Sequence, residues 1–212
     1  MDSTSIALIL ILIISVILHE VAHGYAANWL GDPTARLQGR LSLNPLVHID
    51  PMMSVILPAL LVLSNSPFLF GAAKPVPYNP YNFTNQKWGE TIVAIAGPLT
   101  NIALAIIFAL IIRFADLLPM VTSTFINLSF QIVVLNLFLA FFNLVPLPPL
   151  DGSKIIPNFL PFGLRLKYER FRFILEKNVA LAFAVVIISF MLILGAPLAF
   201  LTKTVAIFLV GG

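Results

Sequence analysis

The chain has 212 residues, 59% of them hydrophobic and only 10% charged, with a mean hydropathy of +1.01. That balance excludes a soluble globular domain and makes lipid the expected solvent. Twelve Lys and Arg against nine Asp and Glu leave a net charge of +3 with no nucleic-acid motif beside it, and the lack of cysteine excludes disulfides, thiolate nucleophiles and sulfur-ligated metals.

In chain order, residues 5–30 form the first apolar stretch long enough to cross about 30 Å of hydrocarbon, which takes roughly 20 helical residues. Its opening "MDSTS" carries an acid and no Lys or Arg, so it lacks the basic start of a signal peptide and is expected to be retained. Tyr25 and Trp29 suit the membrane interface, and Gly31 and Pro33 supply a helix stop. The segment "RLQGRLSLNPLVHIDP" (36–51) alternates briefly around Gly39 and predicts a short β-hairpin or loop at the membrane edge. Residues 52–73 are uncharged but broken by Pro58 and "SNSP", which leaves a crossing or a re-entrant element. "KPVPYNPYNFTNQKWGE" (74–90) predicts an ordered loop. Two further spans follow, 91–112 and about 124–147, the second ending in "FNLVPLPPLDG". The stretch 164–178 interleaves charge with Leu, Tyr and Phe and suits an amphipathic surface helix or a solvated loop with some helix, and a last span begins near 179, weakened by Gly195 and Pro197.

The expected fold is therefore all-α, a polytopic transmembrane bundle of four to five spans with short hairpin or re-entrant elements at the membrane edge. One integral-membrane domain covers 1–212, with a core over 5–155 and an amphipathic basic segment and C-terminal span over 156–212.

Charge distribution selects a topology. If 52–73 re-enters, Arg36, Arg40, Lys74, Lys87, Lys154, Arg165, Lys167, Arg170, Arg172 and Lys177 share one side, and only Arg113 and Lys203 lie on the other. If it crosses, the split weakens to eight against four. The stronger asymmetry favours re-entry and a cytoplasmic location for the ten. Spans 5–30 and 124–147 then run parallel, bringing the His19–His23 half of one and the "PLDG" end of the other to similar depth on the cytoplasmic side.

His19-Glu20-Val21-Ala22-His23 is H-E-x-x-H within a helical stretch. Histidines at i and i+4 stack on one face, so both imidazoles can reach a single Zn²⁺. Glu20 points to a neighbouring face, where a carboxylate suits proton transfer better than ligation. In soluble helices this pattern arises by chance; in hydrocarbon, two imidazoles and a carboxylate are costly unless paired or coordinated. A catalytic zinc needs a third protein ligand, and Asp151 at the end of an apolar span is the candidate, with Gly152 permitting a tight backbone beside it.

"HEVAHGY", "GRLSLNPLVHIDP", "AKPVPYNP", "AGPLTN" and "FNLVPLPPLDG", in this order, resemble the site-2 protease family of intramembrane zinc metalloproteases, in particular its compact prokaryotic members, over roughly residues 15–155. The resemblance implies hydrolysis of a peptide bond in or near a substrate's transmembrane segment, often after an upstream site-1-type protease has trimmed it. It matches His19, His23 and Asp151 to the family's zinc ligands, Glu20 to its general base and Asn143 to a substrate- or oxyanion-binding amide. Asn101 also matches a family position, with an interhelical hydrogen bond as the alternative role. The implied partners are that substrate and the lipid bilayer, with no nucleic acid, and the implied location is a prokaryotic inner membrane. His48 and Asp50 read as structural loop residues, a substrate role being the alternative. "DPMMS" and "FGAAKP" depart from the family pattern without touching the proposed chemistry. Two rival readings are a metal transporter, against which the lack of a repeat counts, and an inactive scaffold, against which the complete motif counts.

Overall fold

The computed structural model describes residues 3–50, 74–115 and 122–212. The expectation for 52–73 lies outside them. Five long helices organise the described residues: α1 (Ser3–Trp29), α2 (Gly89–Arg113), α3 (Ser123–Asn143), α4 (Phe162–Lys177) and α5 (Val179–Val210). Most of α1 (Ile6–Trp29), together with α2, α3 and α5, is long and apolar enough to cross a membrane. These four helices make the chain an integral membrane protein. Contacts divide it into two compact units, Met1–Gly89 and Glu90–Gly212.

In the first unit, α1 presents Ile6, Ile9, Leu10, Leu12, Ile13 and Ile14 outward, as a helix does when lipid is its neighbour, while Ser15, His19, His23 and Ala27 form a buried stripe at i, i+4 spacing. Gly31, with φ 101°, stops the helix as the sequence predicts. No strand occurs among the described residues, so the hairpin expected around Gly39 is not found. A one-turn helix, Thr34–Leu37, stands there instead. It closes when Gly39 N donates to Arg36 O and Arg40 N to Ala35 O. Gly39 takes φ 64°, a left-handed conformation that a side chain resists, and this makes the segment a helix stop rather than a strand turn.

Two buried charged side chains then hold the Pro- and Asn-rich loop, ordered as the sequence predicts. Asp32 Oδ1 accepts from Thr34 N (3.2 Å), Thr34 Oγ1 (2.5 Å) and Asn82 Nδ2 (2.7 Å), and its Oδ2 accepts from Asn79 N (2.6 Å). Burial pushes this carboxyl upward, but the four donors outweigh it and hold the group below the usual carboxylate range. Arg40 donates to the carbonyls of Val47, Lys74 (2.7 Å) and Pro75 (3.2 Å). Lys74 N donates to His48 O (2.8 Å) and Thr84 N to Leu30 O (2.8 Å). Residues 74–84 are thereby fastened to the C-terminal end of α1 and to the segment that follows it.

In the second unit, α2, α3 and α5 meet through Ala105, Ala109, Val133, Leu137 and Ala206, where three alanines permit close backbone approach. The last span is continuous across Gly195 and Pro197. A π-turn at Phe190–Leu194 lies where Pro197, lacking an N–H, withdraws the bond its i−4 carbonyl would otherwise receive. At 32 residues α5 is about 48 Å long, more than about 30 Å of hydrocarbon requires, so it tilts or protrudes. The stretch 164–178 is helical, as the first of its two readings expects: α4 carries the i,i+4 ion pairs Arg165–Glu169 and Arg172–Glu176, both at 2.7 Å.

Candidate active site

Helix α1 sets the first part of the site. His19 and His23 are 6% and 7% exposed, and their Nε2 atoms stand 3.0 Å apart with the rings edge to face. Two ring nitrogens this close require a shared proton or a shared cation between them. Two ligands about 2.0–2.1 Å from a tetrahedral zinc are about 3.3 Å apart, so the pair needs little adjustment to receive one. Imidazole and carboxylate donors with no thiolate are also the set that suits a catalytic zinc.

Glu20 lies on the neighbouring face of α1, where its Oε2 accepts a hydrogen bond from Val76 N at 2.9 Å. That donor belongs to Pro75-Val76-Pro77, the stretch fastened by Arg40. One carboxylate oxygen is therefore anchored by backbone fifty-six residues away in the chain. The sequence names Glu20 but not its anchor, because nothing local to Val76 distinguishes its amide.

His48 is buried, with Nε2 2.7 Å from Ser42 O, and supports the loop as the structural reading expects.

In the second unit, α3 ends at Asn143 and helix resumes at Gly152–Ile155, so the segment of Pro146, Pro148 and Pro149 is non-helical, as those prolines predict. Asp151 closes this segment, 8% exposed. A Cβ on Gly152 would stand 2.2 Å from Leu144 O and 2.5 Å from Val145 O, so only glycine allows the chain to fold back so tightly on the end of α3. Val145 and Leu150 pack with Val186 and Leu198 of α5 and fix the segment from its apolar side.

The two asparagines behave differently from each other. Asn143 turns its Nδ2 back to Leu139 O (2.9 Å) on its own helix. Asn101 is fully buried and donates from Nδ2 to Asn136 Oδ1 (2.8 Å), while Asn136 Nδ2 donates to Ile132 O (3.0 Å). Of the two roles open for Asn101, the structure contains the interhelical bond, which is valuable where no water competes. Asn136 is the partner that sequence reasoning missed; a lone Asn within the apolar run "IVVLNLFLAFF" was its signal.

Paired imidazoles and an anchored carboxylate on a span-length helix define the class: a membrane-embedded metallopeptidase. Comparison with known proteins agrees. Residues 111–187 match the profile of Peptidase family M50. The chain is 42% identical over 165 residues to YwhC of Bacillus subtilis (strain 168), covering 76% of this chain and 72% of that protein. It is 32% identical over 151 residues to Rip2 of Mycobacterium tuberculosis, covering 70% of this chain and 56% of that one. A further relative, of Methanocaldococcus jannaschii, is 26% identical over 149 residues, 33% of its length. All three carry zinc-metalloprotease names. No solved structure matches the chain. The chain belongs to peptidase family M50, the site-2 protease family, and is a zinc metalloprotease.

Proposed function

We propose that this protein hydrolyses peptide bonds in or near the transmembrane segments of other membrane proteins, as a step of regulated intramembrane proteolysis, with its active site toward the cytoplasmic side of a prokaryotic inner membrane. The observation that carries the reading is the His19–His23 nitrogen pair facing inward at 3.0 Å on a span-length helix, with Glu20 held beside it. In the proposal His19, His23 and Asp151 hold zinc, which when bound acts as a Lewis acid on a carbonyl and on water. Glu20 takes the proton from the attacking water through Oε1, the oxygen that Val76 does not engage, and returns it to the departing amine. Asn143 turns its amide to the substrate backbone when that backbone is unwound.

Support for a substrate in the membrane comes from the place of the site in the chain: residues 19–23 lie within a span-length apolar helix whose preceding turns expose Ile9, Leu10, Leu12, Ile13 and Ile14. The test is cleavage of a single-span substrate by the protein reconstituted in vesicles. Extraction of zinc with a chelator is expected to stop cleavage and one equivalent of zinc to restore it, and a Gly-Pro pair placed at the scissile turn is expected to speed it, since helical amides are shielded. Undiminished cleavage without zinc, or cleavage confined to sequence outside the membrane, would refute the reading.

The Val76 anchor makes a separate prediction. Val76→Pro deletes the N–H but suits an extended stretch already flanked by two prolines, so kcat should fall about tenfold, the value of one charge-assisted hydrogen bond, with KM and zinc content unchanged. Val76→Ala removes side-chain packing but keeps the N–H, and should retain most of the activity. Equal losses in both variants would make Val76 merely a packing residue.

A further inference from the structure

Helix α4 is tied to the second unit along one side only. Leu175 is buried, Tyr168 Oη donates to Pro146 O (3.0 Å) beyond the end of α3, and Arg172 donates to Glu90 in the first turn of α2. Burial works against the charge of Arg172, yet its bonds to Glu90 and Glu176 outweigh that and hold the guanidinium above its ordinary value. At its C-terminus α4 passes directly into α5, whose first turn is capped when Leu181 N donates to Asn178 Oδ1. The helix therefore touches the start of one span, the far end of a second and the beginning of a third. All three are ends of spans on one side, so α4 lies across them at the level where the spans leave the hydrocarbon.

Its other side is exposed and ordered. Phe162, Leu166 and Phe173, exposed at 77%, 51% and 57%, fall within about 40° of arc at 3.6 residues per turn. On one flank of this apolar stripe lie the ion-paired Glu169 and Glu176. The other flank carries Lys177, Arg170 and Lys167, all exposed, with exposed Ile174 between the last two, and among the described residues no carboxylate pairs with them. Lys177 Nζ stands 4.5 Å over the Phe173 ring, so charge and aromatic surface are presented together.

We propose that this outer face of α4 docks on anionic phospholipid headgroups, with Phe162, Leu166 and Phe173 entering the acyl boundary and Lys167, Arg170 and Lys177 meeting the phosphates. The placement at the span ends supplies the lipid surface, and a band of cations without acids supplies the preference for negative headgroups. The proposal rests on the membrane-spanning helices and not on the catalytic reading, so the two can fail separately.

The cysteine-free sequence permits a clean test by single-cysteine spin labelling. A nitroxide at Phe173→Cys, with the protein in phosphatidylcholine vesicles containing phosphatidylglycerol, is expected to be shielded from a water-soluble nickel chelate and open to dissolved oxygen. In vesicles carrying spin-labelled lipid, the protein is expected to bind phosphatidylglycerol over phosphatidylcholine, and the triple substitution K167S/R170S/K177S is expected to reduce that preference by at least half. Free access of the nickel chelate to position 173 would overturn the proposal, as would an unchanged lipid preference in the triple variant. Shielding from both agents with spin–spin broadening would overturn it too, in favour of a second copy of the chain covering this face.

Discussion

Glu20→Gln is expected to abolish peptide cleavage, by about a thousandfold or more, while leaving bound zinc unchanged. The size follows from the role: a positioned general base and acid contributes roughly 10²–10⁴-fold, and here one group performs both transfers. Gln keeps the length of the side chain and retains an acceptor oxygen for Val76 N, so the anchor at 2.9 Å survives the change. What is lost is the capacity to take a proton. The two imidazoles, one turn apart on another face of α1, are untouched, so metal content is the control that separates lost chemistry from lost structure. Comparison with Val76→Pro sharpens the result, since deletion of the anchor should cost about tenfold against about a thousandfold for deletion of the base, which is about one third as much on the free-energy scale. Cleavage by Glu20→Gln at the wild-type rate would remove Glu20 from the mechanism.

Much of this was legible in sequence because lipid narrows what a chain can do. Backbone in hydrocarbon must satisfy itself, so an uncharged run of twenty residues is nearly a helix by definition, and of the four to five expected spans four stand as long apolar helices among the described residues. H-E-x-x-H was legible for a related reason: its i, i+4 spacing becomes a spatial pair as soon as the helix is known, and the structure brings the two nitrogens to 3.0 Å. Gly152 could be read as well, since the fold-back it permits lies nine residues from the end of α3.

The rest depended on contacts distant in sequence. Asp32 and Arg40 look like ordinary loop charges, and only the folded chain shows their buried bonds to residues 74–82. Asn101 finds Asn136 thirty-five positions away, and Glu20 finds the amide of Val76. The unconfirmed half of the hairpin-or-loop reading has a local cause: the alternation in "RLQGRLSL" is only a few residues long, too short to separate a strand from a helical turn and loop, whereas Gly39 as a helix stop was the better signal.

Asp151→Ala is expected to lower the zinc content of dialysed, detergent-purified protein from about one per chain to a small fraction of it, with cleavage lost in parallel. A third protein ligand is what separates a catalytic zinc from a loosely held ion, and even the loss of a group that only supports a ligand costs roughly 10–100-fold in affinity. Asp151 is 8% exposed at the end of a span, and Gly152, Val145 and Leu150 fix its segment through backbone approach and apolar packing. The variant should therefore fold, and helix content by circular dichroism provides the check. Asp50→Ala, which removes another acid of the same chain, should keep its zinc. Zinc lost only in Asp151→Ala would join the first and third spans at one metal, which requires them to run parallel, the arrangement that the ten-to-two division of Lys and Arg favours. Zinc retained equally by both variants would remove Asp151 as a ligand, and with it the chemical reason for placing 52–73 as a re-entrant element rather than a crossing.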